Sequence, residues 1–473
     1  MSQTAVELEF ISSQVESPEQ GATDNSDGNA EFSLPPVDGG KEAWLFLAAS
    51  FVVDALIWGF TFSFGVFQDY YSQHEPFTSS NKIAVIGTTS TGLLYLLSPI
   101  ALGIYRLYPR YVRYATPFGL LIVLLSLSLA SLATSTTALI ALQGVLYAIG
   151  GTIAYTPTIL FTEEWFAARK GMAYGMVWSG EGLASAVIPI ILQRLLTQYG
   201  HKTTLRASGV AIFVICAPLS FFIKPRLPPS NTVATRPWEL KLLFSGIFAP
   251  YQLGSLVQGT VSPHTGGGGQ LHRLCSHLAS VVPSIYLPTY ARTVLGASGF
   301  LAALTVLLIN IATTIGALVM GTLTDRLPAT TCILISSAGA TLGVFLAWGL
   351  SSSLAVLYVF CIMYGLFAGS FTATWPGIMR ALGHTRESGE IAGIDPTLVF
   401  SGLCAGRGIG SLVSGPLSEA LLKDMEWEGR ASAGYGSGYG TLIVYTGITA
   451  LVSSSSFVWK TLMTARTSLR QHN

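Results

Sequence analysis

Twelve long apolar stretches limit what this chain can fold into. Each is close to the roughly 20 residues that a helix needs to cross the core of a lipid bilayer. Short polar connections separate most of them, and they lie at residues 44–67, 83–105, 113–133, 136–161, 172–195, 206–223, 241–261, 299–321, 331–350, 354–378, 398–422 and 440–463. The pattern predicts an all-α integral membrane protein with twelve transmembrane helices.

The charge content excludes two broad classes of protein. Charged residues make up 10% of the 473 residues, whereas an average soluble domain carries about 25%. The net charge of +1 provides no basic excess with which to bind nucleic acid. A soluble enzyme and a nucleic-acid-binding protein are therefore both disfavoured, and the lipid bilayer is the expected surrounding of most side chains.

Internal repeats indicate two similar halves. The fourth stretch shares a pattern with the tenth, and the fifth shares one with the eleventh. The matched patterns are Gly150-x3-Ala154-x2-Pro157 with Gly369-x3-Ala373-x2-Pro376, and Gly180-Glu181-Gly182-x2-Ser185 with Gly406-Arg407-Gly408-x2-Ser411. We therefore predict two pseudo-symmetric six-helix bundles, at 44–223 and 241–465, joined by a cytoplasmic linker at 224–240.

The distribution of Lys and Arg predicts the orientation. With the N-terminus inside, 16 basic residues fall on the cytoplasmic side and 8 on the outer side, and one lies within a helix. This bias places both termini in the cytoplasm. Residues 1–43 carry nine carboxylates and one lysine, which predicts a disordered tail, and 466–473 form a short C-terminal tail. We expect a multi-pass protein of the plasma membrane.

Three ionisable residues lie inside predicted helices, where each costs about 2.5–3.5 kcal/mol on insertion scales. Asp54 lies ten residues beyond Trp44, about 15 Å into the first helix. Glu181 and Arg407 lie at matching positions of the repeat, in the fifth and eleventh helices. All three reach a similar depth near the midplane, where duplicated transporters bind their substrates. They are therefore candidates for substrate binding or ion coupling.

Each of these candidates has a structural alternative. Glu181 and Arg407 form a pair that opens when a substrate carboxylate binds the planar guanidinium, or a permanent ion pair, or Glu181 instead bonds to the helix backbone among the neighbouring glycines. Asp54 carries either a coupling proton or a neutral carboxyl bonded to a neighbouring Ser or Thr. The other candidates are Asn310 and Gln258, which contact substrate or only join helices, and Trp375, which lines the site or only packs.

No constellation typical of an enzyme or a metal site stands out. The five cysteines lack disulfide or CxxC spacing. The cluster of His264, His272, Cys275 and His277 fits no tetrahedral zinc template. The glycine run 266–269 lacks the Gly-Lys-Ser/Thr end of a phosphate-binding loop. We therefore expect neither a metal nor a cofactor.

Several motifs resemble the major facilitator superfamily, and within it the fungal branch of the monocarboxylate-porter family. The resemblance covers about residues 38–465. The matching motifs are Asp38-Gly39-Gly40, Trp165-Phe166-x2-Arg169-Lys170-Gly171-x-Ala173-x-Gly175 and Gly321-x3-Asp325-Arg326. The second of these, at the connection between the fourth and fifth helices, is the most specific.

The resemblance implies a secondary transporter in which two bundles rock about a midplane site. It implies a charge network that holds the cytoplasmic side closed, with the candidates Glu164, Arg169, Asp325 and Arg326. The substrate would be a small organic anion or a carboxylate-bearing metabolite, coupled to protons, and we expect a monomer. We favour export of a secondary metabolite; uptake of a nutrient monocarboxylate or vitamin and a transporter-like sensor are the alternatives.

The sequence departs from the family pattern at three places. Leu107 stands in the first repeat where the second has Asp325. Phe62 stands at the place of a first-helix lysine of animal members, and the eighth helix, 299–321, has no charge. About twenty extra residues, 262–282, follow the seventh stretch. They suggest an insertion or a retained intron, and with it a non-functional variant as a further alternative.

Overall fold

Helices account for the regular structure of this protein. The computed structural model describes residues 34–78, 82–228, 245, 248–260, 282–383, 395–422, 429 and 432–462. Across these ranges no β-strand occurs, and ten helical stretches are long and apolar enough to cross a membrane. The predicted class, an all-α membrane protein, is confirmed.

The first half contains six helices. α1 comprises Lys41–Phe62 and Phe64–Gln73, which meet at Ser63. The next three are α2, Ile83–Leu107; α3, Ala115–Ala130; and α4, Thr136–Trp165. α5 and α6 lie within one continuous stretch, Lys170–Leu219, and are separated at Gly200, whose φ of 71° is outside the helical range. Glycine adopts this left-handed conformation without a steric penalty, so the chain turns back at this point.

The second half contains the remaining helices. We number two pieces, Ala249–Gly259 and Val282–Thr293, together as α7. The others are α8, Gly299–Thr324; α9, Ala329–Trp348; α10, Leu354–Gly383; α11, Pro396–Leu422; and α12, Gly440–Leu462. α10 is interrupted between Phe367 and Trp375, where Gly369, Ser370 and the following Pro376 all disfavour a continuous helix.

The seventh segment differs from its prediction. A single helix at 241–261 followed by a polar connection to 298 was expected, but residues Val282–Thr293 form a helix. Two prolines within this helix, Pro283 and Pro288, lower the apolar signal on which the sequence prediction depends. The suspected insertion, 262–282, lies outside the described residues except for Val282, as do most of the linker 224–240 and the tails 1–33 and 463–473.

The two halves contact each other through α5 with α8 and through α2 with α11. Small residues allow the backbones to approach closely. A Cβ atom on Gly175 of α5 would lie 2.6 Å from the carbonyl oxygen of Ala317 in α8, closer than van der Waals contact allows. Gly92 of α2 and Gly408 of α11 face each other in the second contact. These contacts fix the positions of the charged side chains described next.

Candidate functional site

Asp54 lies in the interior of α1 and is completely buried. α1 packs closely on α5 here, because a Cβ atom on Gly180 would lie 2.9 Å from the carbonyl oxygen of Phe51. The Asp54 carboxyl adjoins the Glu181 carboxyl, and neither of its oxygens accepts a hydrogen bond from a donor in the described residues. The sequence showed Asp54 as alone in its helix, and the structure places a second acid beside it.

Glu181 connects Asp54 to Arg407. Its side chain is buried, with 7% of the residue exposed, and it interacts with both of these neighbours. Glu181 is eleven residues from the start of α5, and Arg407 is eleven residues from the start of α11, so both lie about 17 Å along their helices. The structure thus brings together the three intramembrane charges that the sequence predicted.

Arg407 extends from the second half into the first. The residue is 2% exposed. Its Cζ lies 5.3 Å from the ring centroid of Tyr95, which belongs to α2 of the first half. A guanidinium at this distance is attracted by the electron-rich face of the ring. Arg407 therefore carries positive charge across the boundary between the halves and towards two acids of the opposite half.

Aromatic residues of the first half surround this charge cluster. The Trp58 ring centroid lies 4.6 Å from that of Tyr95 and 5.3 Å from that of Tyr155. The Tyr155 hydroxyl in turn contacts the hydroxyl of Ser98. Sequence reasoning missed these aromatic residues, because a tyrosine or tryptophan within an apolar stretch gives no signal that distinguishes a site from a core.

A second aromatic group lies between the two halves. It is closer to the start of α5 than Glu181 is. Trp178 of α5 stacks on Tyr174 at 5.1 Å and contacts Trp375 of α10 edge-on at 6.1 Å. Phe400 of α11 lies 5.6 Å from Trp375. The predicted candidate Trp375 is 1% exposed. It belongs to this second aromatic group, which we call the aromatic layer.

The two predicted polar candidates join helices. Asn310 of α8 donates through Nδ2 to the backbone oxygen of Ser185 at 3.0 Å, which links the two halves. Gln258 of α7 donates through Nε2 to the oxygen of Ala368 at 3.0 Å and accepts from Ser453 at 3.4 Å, both within the second half. Both side chains are buried, and their amide groups contribute to helix packing.

Asp325 fastens the end of α8 to the start of α5. Its two carboxylate oxygens accept hydrogen bonds from the backbone N–H groups of Gly171 and Met172, each at 2.8 Å. Arg380 donates to Asp325 Oδ1 at 2.7 Å. The N-terminus of a helix favours a negative charge because its first N–H groups have no partner within the helix. A carboxylate of one half therefore caps a helix of the other.

The other predicted gate residues lie near this contact but make different interactions. Glu164 Oε2 accepts from the backbone N–H groups of Arg226 and Leu227, at 2.9 and 3.0 Å, and so joins the first half to the start of the linker. Arg169 donates its backbone N–H to Asp38 Oδ1 at 3.0 Å. Arg326 is exposed, and we find no ion pair of its side chain with any residue that the structure describes.

An unpredicted ion pair fastens the second contact between the halves. Arg106, in the last turn of α2, pairs with Asp395, which immediately precedes α11. Asp395 Oδ1 also accepts from the backbone N–H of Thr397 at 2.7 Å and so caps its own helix. Both fastenings therefore lie on one face of the bundle, which we call the N-terminal face because α1 begins there.

In the part of the chain that the structure describes, no cluster of three or more potential metal ligands occurs. The sequence cluster His264, His272, Cys275 and His277 lies outside the described residues. The four described cysteines are free and buried.

Known proteins resemble this chain over most of its length. The family model for the Major Facilitator Superfamily matches residues 45–407. The MFS-type transporter pynF of Aspergillus niger is 26% identical over 409 residues, which are 85% of this chain and 87% of the relative. The aspyridones efflux protein apdF of Emericella nidulans is 26% identical over 398 residues, covering 83% and 74%. The fujikurins efflux protein of Gibberella fujikuroi is 25% identical over 432 residues, covering 89% and 82%.

Proposed function

The chain belongs to the Major Facilitator Superfamily, and on that premise we propose that it exports a small organic anion or a carboxylate-bearing metabolite together with a proton. Membership makes it a multi-pass membrane transporter rather than an enzyme. Two relatives are named as efflux proteins for aspyridones and for fujikurins, which supports export. The observation that carries the substrate class is the buried Arg407 beside two acids, at the boundary between the halves.

Arg407 is the anion-binding residue of this proposal. Its planar guanidinium suits bidentate binding of a carboxylate, which a lysine ammonium cannot reproduce. Glu181 interacts electrostatically with the guanidinium, so an incoming carboxylate would compete with it. The aromatic side chains of Trp58 and Tyr95 would pack against the apolar part of the substrate.

Asp54 and Glu181 form the proton-binding part of the site. Two adjoining carboxyl groups can hydrogen-bond to each other only when one of them carries a proton. When a substrate anion binds to Arg407, a proton that binds to Asp54 offsets the added negative charge, and the neutral Asp54 carboxyl then donates a hydrogen bond to Glu181. Proton and anion therefore bind together and cross in the same direction. A metabolite made inside the cell drives this movement outwards by its own gradient.

The access of the site would alternate between the two sides of the membrane. The N-terminal face is cytoplasmic in our proposed orientation, and the contacts of Asp325 and Arg106 hold it closed. Opening this face requires that these contacts break and that the aromatic layer of Trp178 and Trp375 separates. The halves then rock about the midplane charges.

A reconstituted system tests the proposed substrate class. Proteoliposomes containing a pH-sensitive dye are exposed to a panel of carboxylic acids, from short monocarboxylates to aromatic acids, and to matched amides and amines. We expect proton flux with one or more acids and none with the matched neutral or cationic compounds. Arg407→Ala should abolish this flux, whereas Arg194→Ala, which removes an exposed charge of α5, should retain it. Unchanged flux in Arg407→Ala would exclude Arg407 from the substrate site.

The orientation has a separate test. The variants Glu75→Cys and Leu227→Cys each place one exposed thiol at opposite ends of the bundle, in a Cys275→Ser background because the four described cysteines are buried. A membrane-impermeant maleimide should label position 75 but not 227 in intact cells. Labelling of 227 alone would reverse the orientation.

A further inference from the structure

A groove outside the charge cluster lies on the surface of the first half. It has a volume of about 510 Å³ and lies where α2, α3 and α4 meet, near the N-terminal face. Its lining is almost entirely apolar and aromatic. The residues used below are Ile104, Tyr108, Tyr111, Tyr114 and Phe118, each of which is at least 44% exposed.

A short 3-10 helix, Pro109–Tyr114, builds the mouth of this groove. Side chains three residues apart superimpose along a 3-10 helix, because it has three residues per turn. The spacing therefore aligns the three tyrosines of the sequence Tyr108-Pro-Arg-Tyr111-Val-Arg-Tyr114 on one edge. The same period places Arg110 and Arg113 together on the neighbouring edge. A row of aromatic rings thus lies beside a pair of cations.

Two basic residues stand at the mouth of the groove. Arg110 and Arg113 are both exposed, and Arg113 Cζ lies 5.2 Å from the ring centroid of Tyr114, which places the cation at the rim. The sequence contains no Asp or Glu between Glu75 and Glu163. An occupant with an apolar body and an anionic end matches this arrangement.

Aromatic residues are common at membrane interfaces, but two features distinguish this group from an ordinary belt. The first feature is that the tyrosines border a groove whose lining also includes Ile104 and Phe118, which leaves room for a chain that continues into the membrane. The second feature is the pair of basic residues at the edge of the groove, because basic residues at a membrane surface attract anionic lipid headgroups. Neither feature depends on the site of Arg407.

We propose that this groove binds an anionic phospholipid of the adjoining leaflet. One acyl chain lies along Ile104 and Phe118, and the phosphate lies between Arg110 and Arg113. The binding is non-covalent and independent of the transported substrate. Because the groove contains the last turns of α2, the lipid would also steady the helix that carries Arg106.

Thermal unfolding of the full-length protein in detergent tests this proposal. The added lipids are phosphatidylserine, phosphatidylcholine of the same acyl chains, ergosterol and inorganic phosphate, each in turn. We expect phosphatidylserine to raise the unfolding temperature more than the other three do. The double variant Arg110→Gln/Arg113→Gln should weaken binding of phosphatidylserine, measured by native mass spectrometry, by about tenfold or more.

Two further variants distinguish a specific lipid-binding site from nonspecific attraction of the lipid by surface charge. Ile104→Trp fills the groove without changing the charge, and it should also weaken the binding of phosphatidylserine. Arg194→Gln/Lys202→Gln removes two exposed cations of the same half, distant in sequence from the groove, and should have no such effect. Equal stabilisation by phosphatidylcholine or ergosterol, or undiminished phosphatidylserine binding in the Arg110→Gln/Arg113→Gln variant, would overturn the proposal.

Discussion

The two halves carry different charges at or beside related positions, and this difference occurs at two depths. Near the midplane, Glu181 of α5 corresponds to Arg407 of α11. At the N-terminal face, α8 ends in Asp325, whereas α2 has Leu107 at the related position and Arg106 one residue earlier. At the midplane, an exact repeat would place two like charges near each other, and the divergence of the repeats converts this repulsion into attraction.

The two fastenings at the N-terminal face also differ in strength. Asp325 accepts two backbone N–H groups of the other half, and hydrogen bonds to a charged group contribute about 1.5–3 kcal/mol each. Arg106 pairs with Asp395, whose side chain is 39% exposed, and exposed pairs contribute about 0.2–1 kcal/mol. We therefore expect the contact of α5 with α8 to decide whether this face is closed.

The largest expected effect concerns the midplane pair. Arg407→Gln strands two buried acids and should destabilise the protein by about 3–5 kcal/mol, seen as lowered abundance in membranes. The exchanged variant Glu181→Arg/Arg407→Glu should restore abundance, because the pair is reformed. It should not restore transport, because the cation has moved away from Tyr95. Restored transport in this variant would show that the pair is only structural.

The next effect concerns Asp325. Asp325→Asn removes the charge that caps α5, and it should weaken closure of the N-terminal face by about 3 kcal/mol. Spin labels at Leu227→Cys and Leu327→Cys, both exposed, report the distance between the halves. We expect a longer distance in this variant.

Asp38 provides a matched control for Asp325. It accepts the backbone N–H groups of Ala167, Ala168 and Arg169 at 2.9–3.0 Å, but all of these residues belong to the first half. Asp38→Asn should lower the unfolding temperature and leave the distance between the spin labels unchanged. An equal lengthening in both variants would mean that Asp325 acts only by stabilising the loop.

An intermediate effect is expected for Arg380. Arg380 belongs to the same half as Asp325, so Arg380→Gln leaves the two backbone hydrogen bonds between the halves in place and acts only by removing the guanidinium that orients the Asp325 carboxylate. Closure should weaken by about 1–2 kcal/mol, between the effect of Asp325→Asn and that of the next variant. The same spin-label distance measures it, and an effect as large as that of Asp325→Asn would show that the backbone bonds contribute little.

The smallest effect is expected at the second fastening. Arg106→Gln removes a partly exposed ion pair and should weaken closure by about 0.2–1 kcal/mol. Asp395→Asn should cost slightly more, because Asp395 also caps α11 through Thr397. If Arg106→Gln opened the face as far as Asp325→Asn does, the inferred difference between the two contacts would be wrong.

Much of the fold could be predicted because lipid leaves few alternatives. Apolar stretches of sufficient length have to form helices, and eleven of the twelve predicted stretches have corresponding spans in the described residues. The seventh failed because its second piece, Val282–Thr293, contains prolines and polar residues. This piece is buried by neighbouring helices, and the local sequence gives no sign of which helices those are.

The candidate site could be predicted only in part. Intramembrane charge identified Asp54, Glu181 and Arg407, because such charges are costly wherever they occur. That Asp54 would face Glu181 depends on the rotation of α1 against α5, which close packing at Gly180 determines. The partners of Asp325 are backbone N–H groups, which have no signature in the sequence.

The most direct test of the account is the Asp54→Asn variant in proteoliposomes, measured with an acid that drives proton flux in the unmodified protein. Two rates are compared: accumulation driven by an imposed pH gradient, and exchange of labelled for unlabelled acid without a gradient. Because an asparagine side chain has nearly the same volume as aspartate but cannot carry a proton across, we predict that driven accumulation is lost while exchange persists. Retention of driven accumulation, or loss of both rates in a variant of normal abundance and unfolding temperature, would contradict it.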